Sequence, residues 1–205
     1  MKPLRIALWV LVALGLIGTG LLQVRKSAQQ APQASGAPLQ VGGPFVLTDV
    51  DGRSFSSSRL AIRPYAIFFG FTQCPDVCPT TLARLVRLRQ QLEDGGKSFE
   101  IVFVTVDPER DGPKELKSYV SLFKSPVIAL TGTGSQIDQV KHEFGIFSEK
   151  VPDGAGGYSV DHTATVLLFD RLGSFIATIA PDESDQAALA KLQRIAAPAR
   201  ANVTT

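Results

Sequence analysis

The sequence is poor in residues that ligate soft metals or staple distant segments together. Its 205 residues include two cysteines, Cys74 and Cys78, two histidines, His142 and His162, one methionine, Met1, and one tryptophan, Trp9. A disulfide framework is excluded, because the two cysteines lie four positions apart and can close only a tiny loop. Past the first residue there is no thioether to offer a metal. No acidic residue precedes Asp49, no proline lies between Pro152 and Pro181, and no internal repeat is present. With no cysteine near the N-terminal apolar run, the cysteine-linked lipid anchor of bacterial lipoproteins is also excluded.

A large basic excess is missing too. The formal charge is +2, but Lys2, Arg5, Arg25 and Lys26 all flank the N-terminal apolar run, so the other 17 basic residues face 19 acidic ones. Without its flanks the chain is slightly acidic, which excludes a nucleic-acid binder that works by neutralising phosphates.

What is present begins with IALWVLVALGLIGTGLL, residues 6–22, uncharged and mostly apolar. Its length suits a membrane-spanning helix, which needs roughly 17–25 residues. It exceeds the apolar part of a cleavable signal, about 7–15 residues, and Arg25-Lys26 follow it. Residues 1–26 are therefore expected to be an uncleaved membrane anchor. The flanking charges are balanced, and an N-in, C-out topology is compatible with a long translocated domain. Residues 27–44, rich in Gln, Ala, Pro, Gly and Ser, read as a flexible linker. Residues 45–196 read as one α/β domain, and 197–205 as a disordered tail.

Within the domain, YAIFFGF (65–71) and FEIVFVTVD (99–107) are continuous apolar runs of the kind buried on both faces of a sheet. Between them, residues 79–93 place Leu82, Leu85, Val86, Leu88 and Leu92 at helical spacing, with Arg84, Arg87 and Arg89 interleaved. Strand, helix and strand in that order predict a βαβ unit and a partly parallel sheet. Further helices are expected from Pro113, over 134–145 up to Gly145, and from Pro181-Asp182 to about 195. A third strand is expected in SPVIALTG, a closing hairpin in TATVLLFD-RLGS-FIATIA, and an opening hairpin over 45–56 with Asp51-Gly52 as its turn. A mixed central sheet flanked by helices is a thioredoxin-like α/β layout.

The cysteines fall just after the first buried strand, in CPDVCP (74–79), where α/β sheets place ligand sites. Pro79 is expected at the first helical position, which puts Cys78 near the N-cap, where the helix dipole favours a thiolate. On a regular helix, residues four apart have Cβ atoms about 5–6 Å apart, whereas a disulfide wants about 3.5–4.5 Å. With Pro75 keeping the segment looped, disulfide formation and shared metal binding both stay open.

His142, in IDQVKHEFG, reads as a solvated or partly buried helix residue. His162, in YSVDHTATVLLFD, reads as a loop residue entering the sheet opposite the cysteine turn, although a lone loop histidine is more often structural than a ligand. Two thiolates and one imidazole suit Cu(I) and can hold Cu(II), with zinc the main competitor. Asp76 and Asp161 are candidate acceptors that would orient those ligands. Asp107 reads as a helix or loop cap at least as readily as a functional residue, and the PDGAGGY stretch reads as a loop.

GFTQCPDVCPTTL (70–82), VTVDPERDGP (104–113), LTGT (130–133) and YSVDHTATVLLFD (158–170), in that order, resemble the Sco/SenC family of membrane-anchored copper proteins. The resemblance covers most of residues 40–195. It implies a thioredoxin-like domain in which Cys74, Cys78 and His162 bind copper. It further implies a metallochaperone for the dinuclear copper centre of cytochrome c oxidase subunit II, in a bacterial inner membrane with the domain in the periplasm. Other periplasmic copper chaperones or thiol reductants would then be partners. The alternative is a thiol-disulfide reductase that keeps the oxidase cysteines reduced, with Cys74 and Cys78 as its redox-active pair. Asp76, Asp107, Asp111 and Asp161 match family motif positions without being expected as primary ligands. Peroxidase activity is a third possibility, because the fold is shared.

Overall fold

The computed structural model describes residues 41–92, 99–154 and 156–197. The anchor expected over 1–26, linker residues 27–40 and all but the first residue of the tail lie outside them. Among the described residues, no helix is long and apolar enough to cross a membrane.

The chain opens with β1 (Val46–Asp49) and β2 (Ser54–Ser56), paired antiparallel through the expected Asp51-Gly52 turn. Asp49 shapes that turn: its carboxylate accepts the N–H groups of Asp51 and Arg53. A 3-10 turn over Ser57–Leu60 leads to β3 (Tyr65–Gly70), every residue of which is buried. Next come α1 (Val77–Gln90), β4 (Glu100–Thr105), α2 (Pro113–Ser121), β5 (Ile128–Thr131) and α3 (Gly134–Phe144). Pro113 occupies the start of α2, where its missing N–H leaves nothing unpaired. Thr133 and Gln136 form a capping box on α3, and Gly145 ends it in the left-handed conformation at φ 67°.

Two further strands, β6 (Ser148–Pro152) and β7 (Tyr158–His162), pair only with each other. The chain then returns to the main sheet with β8 (Val166–Phe169) and β9 (Phe175–Ile179), and closes with α4 (Asp185–Ala196), capped by Ser184. The seven-stranded sheet has the order β2-β1-β5-β4-β3-β8-β9. β3, β4 and β5 run parallel, and the other pairings are antiparallel. This is the mixed α/β arrangement of a thioredoxin-like fold, with the predicted βαβ unit at its centre.

Alternation along the strands assigns the helices to faces. Phe68 and Phe103, opposite one another in the β3–β4 register, lie on the side of Tyr119 from α2 and Cys78 from α1. On the other side Phe144 of α3 packs against Phe69 and Phe169. Aromatic pairs of this kind add about 0.5–1.5 kcal/mol each beyond the area they bury.

Three local readings need correction. α1 starts at Val77, not at Pro79, so Asp76 is the N-cap, Cys78 the second helical residue and Pro79 the third. Arg89, read only as interleaved among the apolar positions, is buried, and its guanidinium donates to Ser125 Oγ at 2.5 Å and to the Pro126 carbonyl at 2.7 Å. The stretch before the second histidine folds as the β6–β7 hairpin, which puts His162 at the end of a strand rather than in a loop. SEKVP carries little strand signal, because four of its five side chains are exposed.

Candidate metal centre

β3 and β4 are parallel, so the segments leaving their C-terminal ends lie side by side. The first carries the cysteines and the second the DPERD sequence. Their junction is a buried carboxylate. Asp111 Oδ2 accepts the Thr72 N–H at 2.9 Å and the Thr105 hydroxyl at 2.7 Å, while Oδ1 accepts the Thr72 hydroxyl at 2.6 Å. Burial raises the Asp111 pKa above the ordinary carboxylate value, and those three donors oppose the rise.

The turn from Phe71 to Asp76 brings Cys74 back over the start of α1. The Cys78 N–H donates to Cys74 Sγ at 3.4 Å, so the sulfur that receives a helix N-terminal N–H belongs to Cys74. Cys78 is instead fully buried beneath the turn, and burial pushes its thiol pKa up. Burial of Cys78 thus opposes the thiolate that a place near the helix N-terminus favours. Its sulfur fits because residue 70 is glycine: a Cβ there would stand 2.8 Å from Cys78 Sγ and 2.9 Å from Phe103. Both cysteines are unbridged.

His162 arrives from the opposite side. Its ring is set edge-on to Phe68 and Phe71 at centroid distances of 6.1 and 5.8 Å. Nδ1 lies 3.1 Å from the Thr163 carbonyl, which can only accept, so the ring proton is assigned to Nδ1 and the Nε2 lone pair is left free. Nε2 stands 3.4 Å from Cys78 Sγ. Burial lowers the His162 pKa, against the Thr163 carbonyl and the Asp161 charge, and so favours the neutral ring that a metal needs.

One ligand atom from each of Cys74, Cys78 and His162 lies within 4.8 Å of the others. Ligands about 2.0–2.3 Å from a common ion stand roughly 3.5–4 Å apart when trigonal, so a small inward movement suffices. Two sulfurs and one imidazole are a donor set suited to copper. Residue types and spacing alike therefore fit the metal that the resemblance implies.

The two aspartates expected to orient the ligands do other work. Asp76 accepts from the Thr80 hydroxyl at 3.2 Å, Asp161 is exposed, and the acceptor for His162 is the Thr163 carbonyl. His142 is exposed on α3, outside the cluster.

The sequence singled out Asp107 without saying what it does, and it did not single out Arg110. Asp107 is fully buried, paired with the Arg110 guanidinium, and accepts the Tyr158 hydroxyl at 3.0 Å. Arg110 also donates to the Tyr158 carbonyl at 2.8 Å and to Gln73 Oε1 at 3.1 Å, and its guanidinium lies 3.8 Å over the Tyr158 ring. Lys150 reaches the same ring at 4.7 Å and pairs with Glu109 at 2.7 Å. The DPERD segment thus clamps the hairpin carrying His162 to the turn carrying Cys74. A charge pattern as dense as DPERD was the available signal, but it does not say which partners the charges meet.

Comparison with known proteins identifies the family of the chain. The SCO1/SenC family model matches residues 33–197. An SCO2-like protein of Rickettsia prowazekii is 37% identical over 140 residues, covering 67% of this chain and 68% of that protein. Among solved structures, copper-bound ScoI of Bradyrhizobium japonicum superposes with a TM-score of 0.66 at 37% identity, over 76% of this chain and 99% of that one. Copper-bound yeast Sco1 gives 0.69 at 30% identity, over 76% and 87%. The match spans nearly the whole described domain and includes the segments that carry the two cysteines and the histidine, so the chain belongs to the SCO1/SenC family.

Proposed function

We propose that this chain is a membrane-tethered metallochaperone that binds copper through Cys74, Cys78 and His162 and delivers it to the dinuclear copper centre of cytochrome c oxidase subunit II. The observation that carries the reading is the convergence of these three ligand atoms within 4.8 Å at the end of the sheet. Two similar chains of known structure hold copper, which supports the choice of metal. A three-ligand site leaves a coordination position open, and through it an acceptor's ligands can displace the chaperone's one at a time. The apolar run at 6–22 supports a single-pass anchor in a bacterial inner membrane, with the domain in the periplasm. Replacing His162 with Ala and titrating Cu(I) against a competing chelator tests the site. The expected loss exceeds the roughly 10–100-fold cost of losing an outer hydrogen-bond partner of a ligand; an unchanged affinity would overturn the reading.

A thiol-disulfide reductase is the second reading, favoured by one contact. Cys74 is only partly buried and its sulfur receives the Cys78 N–H, an arrangement suited to the attacking thiolate. Cys74 would attack a target disulfide and release one target thiol. Cys78 would then displace the other, leaving a reduced target and a Cys74–Cys78 disulfide that an external thiol reductant must reopen. Reduction of an oxidised subunit II peptide by the metal-free protein would support it, and failure across a range of redox poise would exclude it.

A further inference from the structure

At the end of the sheet opposite the metal centre, two loops each expose a large aliphatic side chain. Ile62 precedes β3 and is 77% exposed; Leu172, in the β8–β9 turn, is 80% exposed. They are neighbours, because the Ile62 N–H donates to the Arg171 carbonyl at 3.1 Å, and just beneath them Tyr65 stacks on Phe169 at 4.7 Å. Ile62 also holds φ at 63°, a left-handed conformation that β-branched residues rarely adopt. An exposed, strained isoleucine contributes nothing evident to the core.

Among the described residues, the charges around these tips are mainly basic. Arg59, Arg63 and Arg171 are exposed beside them. Arg63 pairs with Glu100, and the Asp170 carboxylate accepts the Leu172 and Ser174 N–H groups within its own turn. Among the described residues, Arg59 and Arg171 have no carboxylate partner: Arg59 lies over Phe55 and Arg171 donates to the Ala196 carbonyl. Apolar tips ringed by arginine match a bilayer surface, with acyl chains for the tips and phosphates for the guanidinium groups.

We propose that Ile62 and Leu172 insert into the interfacial region of the bilayer while Arg59 and Arg171 meet lipid phosphates, so that the domain docks on the membrane that anchors it. The inference rests on the reading of residues 6–22 as the anchor. Docking in this pose holds the cysteine–histidine site on the far side of the sheet, roughly 20 Å from the lipid at about 3.3 Å per strand residue. The metal then faces an acceptor's extramembrane domain instead of the lipid.

The single tryptophan allows both readings to be tested on the full chain, reconstituted in vesicles of phosphatidylcholine and phosphatidylglycerol that carry lipids brominated near the headgroup or deep in the acyl chains. In the unaltered protein, Trp9 emission reports the anchor: its quenching by deep bromines supports that reading, and its absence overturns it. In the Trp9→Phe, Leu172→Trp double variant, shallow bromines are expected to quench the introduced indole at least twofold, and adding Ile62→Ser and Arg171→Glu should abolish most of that quenching. In Trp9→Phe, Phe147→Trp, whose indole lies beside the metal centre, quenching should be absent. Quenching of Trp9 without quenching at position 172, or equal quenching at 172 and 147, would overturn the docking and leave the anchor standing. Position 172 is an exposed turn, so the replacement does not threaten folding.

Discussion

The Tyr158 hydroxyl donates to Asp107 across 3.0 Å, tying the first residue of the strand that ends in His162 to a fully buried carboxylate behind the cysteine turn. Tyr158, Val160 and His162 alternate onto one face of β7, and Val160 is buried. The hairpin lies outside the main sheet, so this face and the Arg110 clamp are what hold the histidine against the thiols.

Tyr158→Phe therefore removes a donor from a buried acceptor while keeping the ring under Arg110. Unfolding in urea should show a loss of about 1 kcal/mol. Cu(I) affinity should fall, though less than in His162→Ala, and the reactivity of Cys74 toward a thiol reagent should not change. Equal losses of thiol reactivity and metal affinity would show that the clamp supports the whole domain and not the histidine in particular.

Gly70→Ala places a methyl 2.8 Å from Cys78 Sγ and 2.9 Å from Phe103. Both neighbours are buried, so the core must shift, at a cost of about 1–3 kcal/mol. Since the displaced atom is a ligand sulfur, copper affinity should drop along with stability. Paired denaturation and chelator-competition measurements would show both.

Ile62→Gly should have the opposite effect on stability. A left-handed L-residue costs roughly 1–2 kcal/mol, of which the added backbone freedom of glycine in the unfolded chain returns part. A rise of up to about 1 kcal/mol in unfolding free energy is expected, with copper affinity unchanged because the metal centre lies at the other end of the sheet.

Asp111 makes stability depend on pH. Its folded-state pKa is raised above the ordinary carboxylate value, so between the unfolded and folded pKa values the native state holds the extra proton. Its contribution is fully present below the unfolded pKa and declines as pH rises through the folded one. Asp111→Asn keeps an oxygen for the Thr72 N–H and cannot ionise. Urea midpoints taken from about pH 4 to neutrality should fall less with rising pH in the variant than in the parent protein.

Much of the domain was legible because its causes are local. The apolar runs in β3 and β4, the helical spacing of Leu82, Leu85 and Leu88, the Gly145 stop and the Asp51-Gly52 turn each act within a few residues. The position of Cys74 and Cys78 after a buried strand follows from the same patterns, and the ordered CPDVCP, DPERD and VDH blocks carry the family. Nothing local places His162 against a sulfur 84 positions earlier, or Tyr158 against a carboxylate 51 positions earlier. Those contacts need the parallel β3–β4 pairing, the hairpin that docks over it, and a glycine at position 70 small enough to admit a thiol. The same distinction governs the protonation of Cys78. Its place in the first turn of a helix favours a thiolate, but only the packed fold buries the sulfur, and that desolvation pushes the thiol pKa up. The residue types and their spacing determine which ligands are on offer, and the packing of β3, β4 and β7 determines that the three meet at one point.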